Sequence, residues 1–484
     1  MKKIALTLLA SFVFSLSFAQ VFNTEHGKSF TKESEKDIYK IVFPSAYGFM
    51  TLHHLDNVMM DNMKTMVLTR HDQSMQSIET KEFNLPKLGN RASDLQEVIE
   101  YDDRLIFLSQ VMQKSEAKHQ VNAQVFTQEN MTVSENKVLS SLPFEKYSRS
   151  GYYQIAVSPD KSKIAILANM PYEKKSQEVV KIWVYDNQLK LLWEQTEKLQ
   201  YDSEKAYQED TFVNNSGDVI LSKTTDAYKK TRKTELITFN GTTSTKNTFS
   251  QEGFIPLEMA QIDVNGKPML TGFYWDGMNS VLKINAEEGD DTNGAFLYDL
   301  GENKLIGFHK WNDDLKNPND YKSLKVVDAK VINNDIYLIG EKQLQKSEFR
   351  KTGNTMSTEM DYFYTNGPSL IVNFDLNGTL KGFSPLFNKA EFKNYDKEKG
   401  SLSALYLENG LRVFSNNNGN KISLHSFFTD RESTFNPPTV LPSPGSSSQI
   451  PFLLPSTVRT VYKYGIVYYI TNYGDKYWLN KMTW

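Results

Sequence analysis

The sequence predicts an all-β chain folded as a β-propeller of eight blades. Three observations carry that prediction. Helical periodicity is nearly absent along the 484 residues. Short apolar-alternating runs recur instead, broken by Gly, Asn, Asp and Pro. One unit (a strand, a tight polar turn, a strongly apolar strand) returns eight times at intervals of 49 to 76 residues. Repeats of this size are the mark of propellers, whose four-stranded blades run about 40 to 50 residues.

The chain starts with a segment outside the repeat. Lys2 and Lys3 precede an apolar run from Ile4 to Leu16, and Ser17-Phe18-Ala19 puts small residues where a signal peptidase reads. The expectation is a signal peptide over 1–19 and a single propeller domain over 20–484. The run is shorter than the roughly 20 apolar residues that span a bilayer, and none like it follows. No transmembrane segment is expected after cleavage, and the periplasm of a Gram-negative bacterium, or its exterior, is the expected location. Cysteine is absent, so the core alone must hold the exported fold. The 55 basic residues, less Lys2 and Lys3, leave 53 against 58 acidic ones. That balance gives no electrostatic footprint for nucleic acid.

The units follow in order. The first joins Ile41-Val42-Phe43 to Phe49-Met50-Thr51-Leu52 through a turn near Gly48. The second turns at Asp102-Asp103, the third at Ser158-Pro159-Asp160-Lys161, the fourth at Asn214-Asn215-Ser216-Gly217. The fifth has Asp263-Val264-Asn265-Gly266, the sixth Asn333-Asn334-Asp335, the seventh Glu408-Asn409-Gly410 and the eighth Tyr464-Gly465. Several units add a second hairpin, as at Asp375-Leu376-Asn377-Gly378, whose turn residues accept the positive φ that hairpins need. The eighth unit lacks a fourth strand. The segment from Val21 to Phe30 is expected to supply it and close the ring, which protects sheet edges. Seven blades is the alternative, because the seventh unit has a poor fourth strand.

Ser158-Pro159-Asp160-Lys161-Ser162-Lys163-Ile164-Ala165-Ile166 resembles the Ser-Pro-Asp-Gly-x-x-Ile-Ala-Phe turn of TolB-like and WD-repeat propellers, with Lys161 where that pattern has Gly. The resemblance covers about nine residues and implies a propeller fold with no activity attached. Two insertions stand out. Gln343 to Gly367 separates the second and third strands of the sixth unit. Asn436 to Ser456 is rich in Pro and Ser and reads as an irregular surface loop.

Catalytic signatures are missing. There is no Gly-x-Ser-x-Gly elbow, no Gly-rich phosphate loop, and none of the seven histidines makes a His-x-x-x-His pair. No catalytic residue is assigned. The acidic run Glu287-Glu288-Gly289-Asp290-Asp291 could hold Ca²⁺ through Asp290 and Asp291, though it lacks the full spacing of a calcium loop and also reads as a solvated loop.

Antiparallel strands send alternate turns to opposite faces of a propeller disc. The tight first turns share one face, and the longer loops between second and third strands share the other. Long loops on a rigid scaffold are where function concentrates. Those loops carry Tyr172, Lys174 and Lys175 in unit three, and Tyr228, Lys229, Lys230, Arg232 and Lys233 in unit four. Unit five places Tyr274, Trp275 and Asp276 there, and unit six Arg350, Lys351, Tyr362, Phe363 and Tyr364. Aromatics beside cations suit a protein or glycan partner. The competing reading is of solubilising lysines with aromatics packed on neighbouring blades. The functional expectation is a non-catalytic binding or scaffold protein. The alternatives are a carbohydrate-active enzyme with carboxylates at the central channel and an outer-membrane β-barrel.

Overall fold

The repeated turns each close the first hairpin of a sheet, and the turn at Ser158 shows how the sequence does it. Ser158 Oγ donates to Asp160 Oδ1 (2.6 Å), and the Ser162 and Lys163 amides donate back to Asp160 Oδ1 and Ser158 Oγ (2.9 Å each). Lys161 sits at φ +59°, the left-handed conformation for which the resembled pattern uses glycine. Asp72, Asp186 and Asp375 cap third-to-fourth-strand turns in the same manner, each carboxylate accepting two amides two and four residues on.

The computed structural model describes residues 22–31, 36–56, 63–203, 208–225, 232–251, 253–276, 292–311, 315, 321, 323–351, 358–386, 388, 390–393, 402–407, 410–417, 421–428, 439–442, 444, 451–474 and 476–484. Among them there is no α-helix, and no helix long and apolar enough to cross a membrane. Apart from the two-stranded hairpin of Lys87–Leu88 and Arg91–Ala92, the described strands form eight antiparallel sheets of four or five strands. Blades 1 to 7 span 36–84, 94–143, 152–202, 208–248, 255–310, 324–386 and 403–440, and blade 8 spans 452–483 with the N-terminal strand added.

That addition is the predicted closure. Asn23–His26 pairs antiparallel with the last strand, from Asn23 opposite Thr483 to His26 opposite Asn480, and Phe30 lies opposite Tyr477. His26 Nδ1 meets the buried Asn480 Oδ1 at 2.7 Å, and the Asn480 amide nitrogen bonds Thr471 Oγ1 at 3.1 Å. The core is divided among the seams between blades. Eight separate apolar clusters each join one blade to the next, including blade 8 to blade 1 through Tyr468, Ile470, Ile41 and Phe49. A ring whose every seam is filled has eight blades, not seven. Separate sheets that share seams also overturn the single closed membrane barrel.

Three local readings are corrected. The insertion from Gln343 to Gly367 is not a loop between two strands. Its two strands, Asp335–Lys351 and Thr358–Asp375, run on together past the blade as one long hairpin, and Ala390–Lys393 adds a third strand beside Phe363 to Asn366. The Pro- and Ser-rich segment also holds repeat strands at both ends. Thr439–Val440 is the short outer strand of blade 7, and Phe452–Val461 is the inner strand of blade 8. Finally, the connections between second and third strands are not all the longer ones: blade 2 crosses in four residues, 114–117, and in blade 8 the second strand ends at Tyr473 directly opposite Lys476, where the third begins.

Candidate functional site

The inner strands carry the polar residues that the seams cannot bury. Four of them meet around a cavity of about 920 Å³. Blade 1 contributes Lys40, blade 6 Lys325, Val327 and Asp328, blade 7 Ser403 and Ala404, and blade 8 Ser456, Val458 and Arg459. The base of the long blade 6 hairpin walls one side with Gln343, Leu344, Gln345, Tyr364 and Asn366. This is the long-loop end of the channel.

The hairpin wall is braced from beneath. Glu341 is fully buried, and its carboxylate accepts from the Gln343 and Asn366 amides at 3.0 and 3.1 Å and from Asn388 at 3.3 Å. A buried carboxylate needs such donors, and satisfying it ties the two hairpin strands to the segment that follows blade 6. The wall is therefore held in place before any ligand arrives, which lowers the ordering cost of binding.

Charge is unevenly spread around the channel. Lys325 is ion-paired with Glu258 of blade 5. Arg459 Nη1 donates to the Ser456 and Val458 carbonyls at 3.1 and 2.7 Å, and its Nε stands 3.9 Å from Glu100 Oε2. Glu100 is also engaged by the Phe43 amide at 2.6 Å. Lys40 reaches the Val98 carbonyl at 3.4 Å. Burial and the neighbouring Arg459 push the Lys40 ammonium below its ordinary value, and burial does the same to Arg459. Burial raises Asp328, and burial with the Asp328 carboxyl beside it raises the Tyr406 phenol. On the far side, burial and the nearby Glu258 push Asp210 of blade 4 up to about 6.

A second charge cluster fills the seam between blades 3 and 4. Lys223 is wholly buried and ion-paired with both Glu178 and Glu209, themselves almost wholly buried. Its ammonium lies 4.8 Å from the centre of the Tyr201 ring, and Tyr201 donates to Glu235 at 2.5 Å. Tyr152 donates to Glu209, and burial with that carboxylate raises the phenol above its ordinary range. Burial raises Glu178 despite Lys223.

The residues singled out in the sequence are scattered. Tyr364 lines the cavity. Tyr362 is exposed on the same strand, two residues further out, and Arg350 lies on the partner strand opposite Glu359. Lys174 and Lys175 are exposed and Tyr172 is half-buried on the blade 3 loop. Arg232 is buried. Tyr274 and Trp275 end a strand instead of opening a loop, and both are buried, Trp275 against Ile255 and Leu257. Tyr228, Lys229, Asp290 and Asp291 lie outside the described residues. Among the described residues, no three His, Asp or Glu side chains are grouped to hold a metal ion. His71, His119 and His425 are buried in the sheets, and burial pushes each imidazole down to about 4.

Sequence reasoning missed Lys40, Lys325, Asp328 and Arg459. A signal was present. Each interrupts the apolar first strand of its unit, as Lys40 does before Ile41-Val42-Phe43, and in a propeller that strand borders the axis.

No known family matches the chain, and no curated protein does. Solved structures similar to it include the WD40 domain of SCAP from fission yeast, with 8% identity, 96% of this chain and 94% of that one covered, and a TM-score of 0.38. A variant of Synechocystis apocarotenoid oxygenase shows 11% identity over 87% of this chain and 92% of that one, with a TM-score of 0.39. An acylaminoacyl peptidase from Pyrococcus horikoshii shows 10% identity over 82% of this chain and a TM-score of 0.35. The chain spans only 58% of that peptidase's length. Likeness at this level carries no argument about activity.

Proposed function

We propose that this chain is an exported, non-catalytic binding propeller that holds a glycan at the long-loop mouth of its channel. One observation carries the reading: four inner strands and the braced blade 6 hairpin converge on a single concavity of about 920 Å³. Ligand pockets are concave and of roughly 300 to 1,000 Å³, whereas a stable protein interface needs roughly 800 Å² of matching surface from each partner. The lining chemistry supports a sugar over an apolar ligand. Gln345, Ser403, Ser456 and the cations offer hydrogen bonds, and Tyr364 offers a ring. The charged start and apolar run of the first nineteen residues support export.

The test is titration calorimetry against a panel of oligosaccharides, with Tyr364→Ala and Gln345→Ala beside the parent chain. Saturable binding that weakens about tenfold in either variant is expected. Binding that both variants leave untouched places the site elsewhere. A second reading, glycoside hydrolysis, draws on Asp210: a carboxyl raised to about 6 beside Glu258 is the kind of group that serves as a general acid. Release of reducing ends that stops in Asp210→Asn selects hydrolysis over binding.

A further inference from the structure

The cations on the channel wall deepen that reading, and the inference rests on it. Lys40 and Arg459 come from the inner strands of blades 1 and 8, and both line the cavity. Arg459 is near enough to disfavour the charge on Lys40, which Glu97 and Glu100 favour, and Glu100 is the carboxylate that reaches Arg459. Glu100 is already shared, with one oxygen on the Phe43 amide and the other 3.9 Å from Arg459 Nε. Arg459 is oriented by two carbonyls through Nη1, and Nη2 makes no hydrogen bond among the described residues. The single bond of Lys40 among them is a long one, 3.4 Å to a carbonyl. Of the other charged residues lining the cavity, Lys325 is paired with Glu258, and burial biases the one acidic residue, Asp328, toward its neutral form. Two like charges in a partly desolvated wall, whose neighbours Glu97 and Glu100 are each also engaged by a backbone amide, are better satisfied when a further anion joins them.

We infer that Lys40 and Arg459 form a receptor for an anionic group, so that the glycan held in the channel is an acidic one bearing uronate or sulfate groups. The anion accepts from Arg459 Nη2 and Lys40 Nζ together. Such charge-assisted bonds are the strong ones, and the guanidinium adds directional fit. The amides and hydroxyls of the hairpin side then contact the sugar ring.

The experiment titrates the full chain with oligogalacturonate, with its carboxyl-reduced neutral counterpart and with a sulfated galactose oligosaccharide. Parallel titrations use Lys40→Met, Arg459→Met and Arg459→Lys. Thermal melts confirm that each variant is folded, and Lys267→Met on the opposite face serves as the control. The expected result is at least about tenfold tighter binding of an acidic oligosaccharide than of the neutral one. That preference weakens with added salt, falls about tenfold in each Met variant and is unchanged in Lys267→Met. Whichever acidic oligosaccharide is preferred names the group, and Arg459→Lys recovers part of the affinity. Equal binding of neutral and acidic oligosaccharides overturns the inference and leaves the glycan reading standing. A folded chain that binds neither overturns both. Polyglutamate that competes as tightly as the best oligosaccharide overturns the assignment to a glycan in favour of an acidic protein.

Discussion

The seam between blades 3 and 4 and the channel wall between blades 8 and 1 are built from the same residue types and end in opposite states. At the seam, one lysine meets two carboxylates and an aromatic ring in a site closed to solvent. On the channel wall, a lysine and an arginine beside a cavity have Glu97 and Glu100 near them, and the ion pair between Arg459 and Glu100 is a long one, 3.9 Å. Lys223 is ion-paired with two buried carboxylates of its own chain, while Lys40 and Arg459 bond backbone carbonyls and only Arg459 makes an ion pair, a long one to Glu100. Burial of charge tends to be structural when the protein supplies the partners, and it points outward to a ligand when the protein withholds them. Residue counts alone would rank the seam cluster as the site, because it is the more acidic and the more buried. The partners reverse that ranking.

The largest expected difference comes from breaking the seam. Lys223→Met leaves Glu178 and Glu209 buried without their cation. Removing one member of a buried ionic cluster costs about 3 to 5 kcal/mol. Urea unfolding of the full chain reads this as a lower midpoint. A loss below about 1 kcal/mol would mean that water reaches the seam and that the two regions are alike.

Asp210 lies between the clusters, next to Glu209 in sequence and near Glu258 and Lys325 in space, and it gives the second test. Its pKa in the folded chain is about 6, raised from 3.8, first by burial and then by Glu258. A carboxyl raised on folding favours the folded state while protonated. Its contribution is therefore present below about pH 4 and is lost as the pH rises from about 4 through about 6. At pH 7 the ionised group weakens the fold, and Asp210→Asn should raise stability there by on the order of 1 kcal/mol, with the gain gone near pH 4. Urea midpoints of parent and variant at the two pH values check it. A constant offset between them would place Asp210 in open solvent.

How much of this was legible in the sequence follows from what sets each feature. The blades were legible because turns are local: Ser158 and Asp160 complete their network within six residues. Closure was legible because the eighth unit was one strand short, and the strand of Asn23–His26 fills that place. The long hairpin was read as a loop because the pairing of Gln345 with Tyr364 spans nineteen residues and leaves no turn signal at its base. Trp275 was read as a loop aromatic because its strand outlasts the apolar run that announced it. The channel cations come from blades 1 and 8, more than 400 residues apart in sequence. Only ring closure brings Lys40 beside Arg459, so no local pattern could have paired them.

The smallest expected effect is the sharpest test of the comparison. Lys40 has a single long hydrogen bond among the described residues and a like-charged neighbour, and burial disfavours its charge. Lys40→Met removes that repulsion, retains most of the aliphatic stem and leaves no carboxylate stranded, since Glu100 keeps the Phe43 amide and Arg459, and Glu97 keeps the Val98 amide. Its stability should lie within about 0.5 kcal/mol of the parent, as for substitutions that break no buried network, and the change should move toward stabilisation. The measurement is the urea midpoint without ligand at low ionic strength, where screening is least. A loss approaching that of Lys223→Met would show that Lys40 is held as firmly by its own chain as the seam lysine is. The channel wall would then be a second structural cluster instead of a waiting one.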